Sequence, residues 1–286
     1  MTMIQPEQSL TNSDRRWTPR FLQEIEELGN TVGFVDAIHQ TLQQGHVTVD
    51  VEGDFDQLQD HSGGILFVGD HKNQWEFIAL TDILSQMGRT DMLNIAKFYV
   101  QREVYLSLGH VAAEQHALPV YPRILARDRA NPLNYEIANR VIFRHYLLTL
   151  AESEEANTRS LGIASEKLVE GGTVNIHPTG RVVDARTHPW RAGVGRIIQH
   201  ISEETRKDIL IAPYSLDKIS NVQLLGALAV RGRGVLGRPQ TMHVQLGPLQ
   251  TAAALVDSLP DSDRDDPVAI TTQLQRQFVA HFGNTE

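Results

Sequence analysis

Apolar and polar positions follow one another along this chain in two patterns, a short strand-like one and a longer helical one. Residues 46–53 alternate between apolar and polar, which is typical of a strand with one buried face. Residues 63–70 are a short continuous apolar run closed by glycine, which predicts a strand buried on both faces. Residues 171–178 are also predicted to form a strand of this buried type. Further strands are predicted at residues 92–100, 117–124, 208–216 and 240–249, and the prolines of residues 117–124 indicate a sheet edge or a strand end.

Between these runs, apolar residues recur at helical spacing. Helices are predicted at residues 19–29, 33–45, 73–87, 103–112, 190–206 and 266–282, and residues 132–170 predict two helices broken near residues 153–157. Strands that alternate with helices predict an α/β fold with a mixed, mainly parallel sheet flanked by helices. We expect residues 1–45 to form a lead-in and a helical pair, and residues 46–286 to form one α/β domain.

The composition and charge of the chain argue against several classes of protein. The chain has 286 residues, a formal net charge of −9 and no cysteine. The negative charge argues against a general nucleic-acid binder, which needs a basic face. The lack of cysteine excludes disulfides, thiolate metal sites and cysteine nucleophiles, and it fits a cytoplasmic protein. No apolar run is long enough to span a bilayer and no signal-peptide core is present, so we expect any membrane contact to be peripheral.

The first candidate for chemistry is the segment GDHKNQWE, residues 69–76, which joins a predicted buried strand to a predicted helix. His71 could act as a general base, with the carboxylate of Glu76 orienting the imidazole and stabilising the imidazolium. In the alternative interpretation, His71 caps a loop and Glu76 lies in the first helical turn, where the helix dipole favours a negative charge. Asp70, His71 and Glu76 could also bind a metal, but further ligands at a convincing spacing are lacking.

The second candidate is the loop that follows the strand predicted at residues 171–178, with Pro178, Thr179, Gly180 and Arg181. Gly180 lets the backbone turn closely around a ligand, and Arg181 presents a planar fork suited to phosphate. Arg191 opens the helix predicted at residues 190–206, whose N-terminal amides would also favour an anion. The alternative is an ordinary strand-to-helix loop with solvated arginines.

Arg123 is a third candidate, because it follows an apolar strand and could reach an anionic head group; equally, it could merely flank an edge strand. In open α/β sheets, ligands bind at the carboxyl ends of the strands, where the segments of His71, Arg123 and Arg181 all fall. Weaker candidates are Lys97, Arg127, Arg129, His177 and His188. A G-x-G-x-x-G match in residues 232–237 has no clear following helix, and we interpret it as accidental.

Taken in order, these segments resemble the motifs of the glycerolipid acyltransferase family, the lysophosphatidic-acid and glycerol-3-phosphate acyltransferases. GDHKNQWE stands where that family has N-H-x4-D, and LPVYPR at residues 118–123 resembles its arginine block. IHPTGR at residues 176–181, followed by PWRAG at residues 189–193, resembles its F-P-E-G-T-R and P-F-K-x-G blocks. ILIAPYSL and HVQLGPL resemble the last two blocks, so the resemblance covers about residues 46–250.

This resemblance implies an O-acyltransferase with an acyltransferase-like fold. His71 would be the base that deprotonates the acceptor hydroxyl, Glu76 would orient it, and Arg123, Gly180 and Arg181 would hold the acceptor's phosphate. Pro178 and Arg191 match the same binding blocks, and Thr179 lies within the first of them as a further substrate-binding candidate. The donor would be acyl-CoA or acyl carrier protein, a co-substrate rather than a resident cofactor, and no metal is implied. The acceptor would be a glycerol phosphate or another hydroxyl compound.

Two departures from the family pattern matter for the proposed chemistry. Glu76 replaces its aspartate, and Thr179 stands in place of its glutamate, which removes one negative charge from the acceptor site. These substitutions motivate an alternative function, a catalytically impaired protein of the same fold that binds an acyl chain or a phospholipid. Both functions involve a lipid-type partner and the membrane surface, and neither involves nucleic acid.

Overall fold

The computed structural model describes residues 32–70, 76–90, 92–97, 117–120, 150–180, 184–217 and 240–283. These residues form an α/β fold in which helices cover a mixed, mainly parallel sheet, and the predicted fold class is thereby confirmed. The helices predicted at residues 19–29 and 103–112 lie outside the described residues. The division of the chain at residue 45 stays a prediction.

A single sheet contains the eight described strands. Five of them run parallel to one another in the order β6-β2-β5-β3-β4, while β7 lies antiparallel on the other side of β6 and carries β1 parallel to itself at the far end. The two-residue β8 pairs antiparallel with the start of β6. The strands are β1 (Val47–Glu52), β2 (Gly64–Gly69), β3 (Leu93–Lys97), β4 (Ala117–Val120), β5 (Thr173–Ile176), β6 (Ile209–Leu216), β7 (Gln240–Leu246) and β8 (Gln250–Thr251).

Helices pack on both faces of the sheet. They are α1 (Phe34–Gln44), α2 (Phe55–Asp60), α3 (Glu76–Gln86), α4 (Leu150–Val169), α5 (Gly193–Gln199), α6 (Ala252–Asp257) and α7 (Pro267–Phe282). Helices α1, α2 and α3 contribute to one core, and α4 to α7 contribute to the core on the opposite face. Among the described helices, none combines the length and the apolar character needed to cross a membrane.

The position of β2 in the centre of the sheet explains why its sequence is continuously apolar. Ile65 and Phe67 belong to the core shared with α1 and α3, whereas Leu66 and Val68 belong to the core shared with α4 to α7. All six residues of β2 are buried because successive side chains point to opposite faces and both faces are covered. The pattern at residues 63–70 therefore predicted the position of this strand correctly.

Two helix predictions were wrong in their extent. Helix α4 runs without a break through residues 153–157, because this polar run consists largely of good helix formers, and Thr158 and Arg159 make side-chain contacts one turn back with Glu154 and Glu155. Helix α5 covers only residues 193–199 of the predicted 190–206. The buried Arg206 side chain donates to the Ile198 carbonyl and thereby caps the end of this helix.

One arginine stabilises the edge of the sheet at which the parallel strands β2 and β5 begin. Arg89 follows α3, and its guanidinium donates to the carbonyls of His61, Gly63 and Gly171. These carbonyls precede β2 and β5, which pair side by side, so one cation satisfies the loops that lead into both strands.

We expect Arg89→Ala to lower the free energy of unfolding by about 2–3 kcal/mol, because it leaves several partly buried carbonyls without their charged donor. Urea denaturation measures the change. Arg159→Ala is the matched control, since Arg159 pairs with Glu155 on an exposed helix surface and its loss should cost about 0.5 kcal/mol at most. Equal losses in the two variants would contradict the role given to Arg89.

Candidate functional site

The candidate site residues fall partly inside and partly outside the described chain. The described candidates are Glu76, Pro178, Thr179, Gly180 and Arg191. Glu76 follows β2 and residues 178–180 follow β5, whereas Arg191 is distant in the chain and meets the turn through its contacts. His71, Arg123 and Arg181 lie outside the described residues, as do Arg127 and Arg129, and their roles stay predictions. Strands β2, β5, β3 and β4 are parallel, so the chain leaves each of them at the same edge of the sheet.

Glu76 is the first residue of α3 and is only 1% exposed. Its negative charge acts on Tyr214, a fully buried residue of β6. Burial, the negative charge of Glu76 and the charge of Asp70 raise the pKa of Tyr214 well above its usual value near 10. The Tyr214 phenol is therefore neutral at pH 7, and its hydroxyl is available as a hydrogen-bond donor.

The position of Tyr214 depends on a glycine in the neighbouring strand. Gly69 of β2 pairs with Tyr214 of β6, and the tyrosine ring occupies the space that a β carbon at position 69 would need. The same ring makes edge-to-face contacts with Phe67 and with the imidazole of His177, at centroid distances of 6.1 and 6.2 Å. Tyr214 of β6 thus contacts β2 and the residue that follows β5.

A row of hydrogen bonds extends this contact across the sheet. The Tyr214 hydroxyl donates to Asn175 Oδ1 at 3.1 Å, and Asn175 Nδ2 donates to Asn94 Oδ1 at 2.9 Å. We call these three residues the polar row; they belong to β6, β5 and β3. Sequence reasoning missed them. The available signal was an asparagine in the middle of a buried strand, since a buried amide requires a hydrogen-bond partner.

The Pro178–Gly180 segment forms a tight turn at the end of β5. The Gly180 N–H donates to the His177 carbonyl at 2.9 Å, and Gly180 has a φ of +64°, a conformation that favours glycine. Thr179 is 4% exposed, so its side chain is turned inward rather than towards solvent. The prediction of a glycine-dependent turn is confirmed, while ligand binding by this turn stays a prediction.

Arg191 lies against this turn, although it does not open a helix as predicted. Helix α5 begins at Gly193, and the Arg191 N–H donates to the Pro178 carbonyl at 2.9 Å, so this amide is used within the protein. The guanidinium of Arg191 packs on Gly180, where a β carbon would lie 3.3–3.5 Å from its atoms. The exposed guanidinium of Arg191 therefore lies beside a glycine in the left-handed backbone conformation, an arrangement suited to binding an anion.

The remaining histidine and metal candidates differ in placement. His177 is half-buried at the end of β5 and contacts Tyr214, whereas His188 makes a contact with Thr187 near the surface. Among the described residues, no group of three histidine, aspartate or glutamate side chains could hold a metal. The metal alternative at Asp70, His71 and Glu76 remains untested because His71 lies outside those residues.

One groove in the described part of the chain lies on the other face of β6. It has a volume of about 160 Å³ and is lined by Pro213, Pro248 and the end of α7 at Phe278 and Phe282. Pro213 precedes Tyr214 in β6, so its side chain points to the opposite face of the sheet. The groove is also smaller than the roughly 300–1,000 Å³ of most ligand pockets. It is therefore separate from the site formed by Glu76 and the polar row.

We expect Tyr214→Phe to change the pH dependence of stability. A pKa raised on folding means that the stability contributed by neutral Tyr214 is complete below the unfolded-state value of about 10 and is lost as the pH rises above it. Wild-type urea midpoints should therefore fall more steeply than those of Tyr214→Phe between about pH 9 and pH 11. At pH 7 the variant should lose about 1–2 kcal/mol with the Asn175 hydrogen bond. Identical alkaline slopes would mean that Tyr214 titrates normally.

No protein-family model matches the chain, and no curated protein is significantly similar to it.

Proposed function

We propose that this protein is an O-acyltransferase. It moves a fatty acyl group from a thioester, acyl-CoA or acyl carrier protein, to a hydroxyl of a glycerol-phosphate-type acceptor. We also propose that it acts in the cytoplasm and meets its lipid substrates or products at the membrane surface. The proposal rests on the sequence motifs, and one structural observation carries it further. At the carboxyl edge of the parallel strands, the charge of Glu76 acts on Tyr214 and the His177 imidazole contacts its ring. The Pro178–Gly180 turn is hydrogen-bonded to the His177 carbonyl and holds Arg191 against Gly180.

This placement supports the proposal because an acyl transfer to a phosphorylated alcohol needs two groups side by side. One is a base for the hydroxyl, and the other is a cationic pocket for the phosphate a few atoms away. His71 follows β2 in the chain, and the Gly180–Arg191 contact follows β5, which pairs with β2. The buried carboxylate of Glu76 favours a positive charge on a neighbouring imidazole more than a solvated one would, because water screens it less.

In the proposed mechanism, His71 accepts the proton of the acceptor hydroxyl as its oxygen attacks the thioester carbonyl carbon. The tetrahedral intermediate collapses with cleavage of the carbon–sulfur bond, and the imidazolium returns the proton to the departing thiolate. An ester and a free thiol are the products, and no covalent enzyme intermediate is required. Glu76 stabilises the imidazolium, while Arg123, Arg181 and Arg191 neutralise the acceptor's phosphate. The neutral hydroxyl of Thr179, in place of a carboxylate, leaves this pocket more positive.

Thiol release by purified protein tests the proposal. Acyl-CoA and acyl carrier protein thioesters are offered with glycerol 3-phosphate, lysophosphatidic acid or unphosphorylated glycerol. We expect release that depends on the acceptor and is much faster with the phosphorylated acceptors than with glycerol. If every thioester stays intact with every acceptor while lysophosphatidic acid still binds, the protein is the non-catalytic lipid binder instead.

A further inference from the structure

Asp70 is a buried carboxylate that the proposed mechanism does not use. It follows β2 directly, is 1% exposed and precedes His71 in the chain. Its backbone N–H donates to the Tyr214 carbonyl at 3.2 Å, which continues the pairing of β2 with β6. Its side-chain Oδ1 accepts the backbone N–H of Ala185 at 2.9 Å, in a position closed to solvent. Because a charged acceptor strengthens a buried hydrogen bond, this hydrogen bond should be among the stronger ones at the carboxyl edge of the sheet.

Ala185 belongs to a closely tied segment, residues 184–191, which we call the 184–191 loop. The Trp190 indole N–H donates to the Ala185 carbonyl at 2.9 Å, so the two ends of the loop are joined. Ala185 is fully buried against Phe278 and Phe282 of α7. At its far end, Arg191 donates to the Pro178 carbonyl and packs its guanidinium on Gly180.

The 184–191 loop therefore spans the two halves of the proposed site. One end is held by Asp70, the chain neighbour of His71, and the other end holds Gly180, the chain neighbour of Arg181. We propose that Asp70 is a positioning residue, which through its hydrogen bond to Ala185 fixes the position of the phosphate-binding turn relative to the end of β2, the strand that His71 follows in the chain. This inference rests on the proposed function and adds a residue to which the family resemblance gives no role.

The hydrogen bond matters because acyl transfer tolerates little error in the position of the acceptor. A misplacement of about 1 Å can cost about a hundredfold in rate, even when its cause lies away from the reacting atoms. Without the carboxylate, the buried Ala185 N–H loses its charged acceptor, and the 184–191 loop can shift together with Arg191 and Gly180. The substrate most affected should be the acceptor, since its phosphate is bound by that turn.

The experiment compares Asp70→Ala with the control Asp266→Ala. Asp266 also accepts a backbone N–H at 2.9 Å, from Val268, but at the start of α7 and away from the site. Hydrogen exchange at the Ala185 amide, calorimetric titration with glycerol 3-phosphate, and KM for acyl-CoA are measured for wild type and both variants. We expect Asp70→Ala to speed Ala185 exchange and to weaken glycerol 3-phosphate binding, each about tenfold to hundredfold, with an unchanged KM for acyl-CoA. Asp266→Ala should leave all three at wild-type values.

Asp70→Asn keeps the shape and one carbonyl oxygen, so it should restore most of the Ala185 protection and most of the glycerol 3-phosphate affinity, and it serves if the alanine variant does not fold. The inference is overturned if Asp70→Ala speeds exchange without weakening acceptor binding. It is also overturned if both variants weaken binding alike, or if Asp70→Asn keeps Ala185 protected yet binds acceptor poorly. The proposed function fails on a different result, namely wild-type protein that binds glycerol 3-phosphate but releases no thiol.

Discussion

Replacing His71 with alanine is expected to lower the rate of acceptor-dependent thiol release by a factor of about 10²–10⁴, which is the usual contribution of a general base. The physical reason is that the acceptor hydroxyl is a poor nucleophile until its proton has somewhere to go. In the proposed mechanism only the imidazole of His71 accepts it. Turnover at saturating thioester and glycerol 3-phosphate measures the loss, and calorimetry should find acceptor binding nearly intact.

His200→Ala provides the matched control for this variant. His200 is an exposed histidine at the end of α5, outside the proposed site. Its replacement removes an imidazole that has no part in the proposed mechanism. We expect its turnover to equal that of wild type. If His71→Ala retains full turnover, His71 is not the base, and His177, the half-buried histidine in contact with Tyr214, becomes the next residue to test.

Replacing Gly69 with alanine is expected to destabilise the protein by about 3 kcal/mol, at the upper end of the usual overpacking cost. A β carbon at this position would overlap the ring of Tyr214, which is fully buried between β2 and the helices above it. A shift of the ring would disturb its contacts with Phe67, His177 and Asn175. Urea denaturation should show a lower midpoint with an unchanged m-value.

Gly162→Ala is the control for this substitution. Gly162 lies in the interior of α4, and a β carbon there would meet no atom within 4 Å. The same chemical change should therefore raise stability by up to about 1 kcal/mol, because alanine favours the helix more than glycine does. A Gly69→Ala variant as stable as Gly162→Ala would mean that Tyr214 is not confined by β2.

The sequence predicted the fold class because its strongest signals are local. The continuous apolar run of β2 needs two covered faces, and the alternation of β1 needs one, wherever the rest of the chain lies. Helices α2 and α6 were missed because each has only six residues, too short for a helical period to stand out, and side-chain caps at Asp54 and Thr251 mark where they begin. The break predicted within α4 was wrong because a polar stretch of helix and a loop have the same low hydrophobicity.

The candidate site likewise combines features that the local sequence predicts with contacts that it does not predict. Glu76 at a helix start and Gly180 in a turn follow from short stretches of sequence, because dipole and backbone preferences act over a few residues. Contacts between residues distant in the chain do not follow. Tyr214 reaches Asn175 over Gly69 only because β6 and β5 pair with opposite edges of β2.

By itself, then, the sequence determined the described strands other than the two-residue β8, and most of the described helices. It also determined the segments in which the polar candidates stand. Tertiary structure decided which of these residues meet: the polar row, the contact of Arg191 with Gly180, and the hydrogen bond from Ala185 to Asp70. The reason is physical. Local patterns depend on each residue's own burial and backbone preference, whereas these contacts depend on the order and register in which strands far apart in the chain are paired.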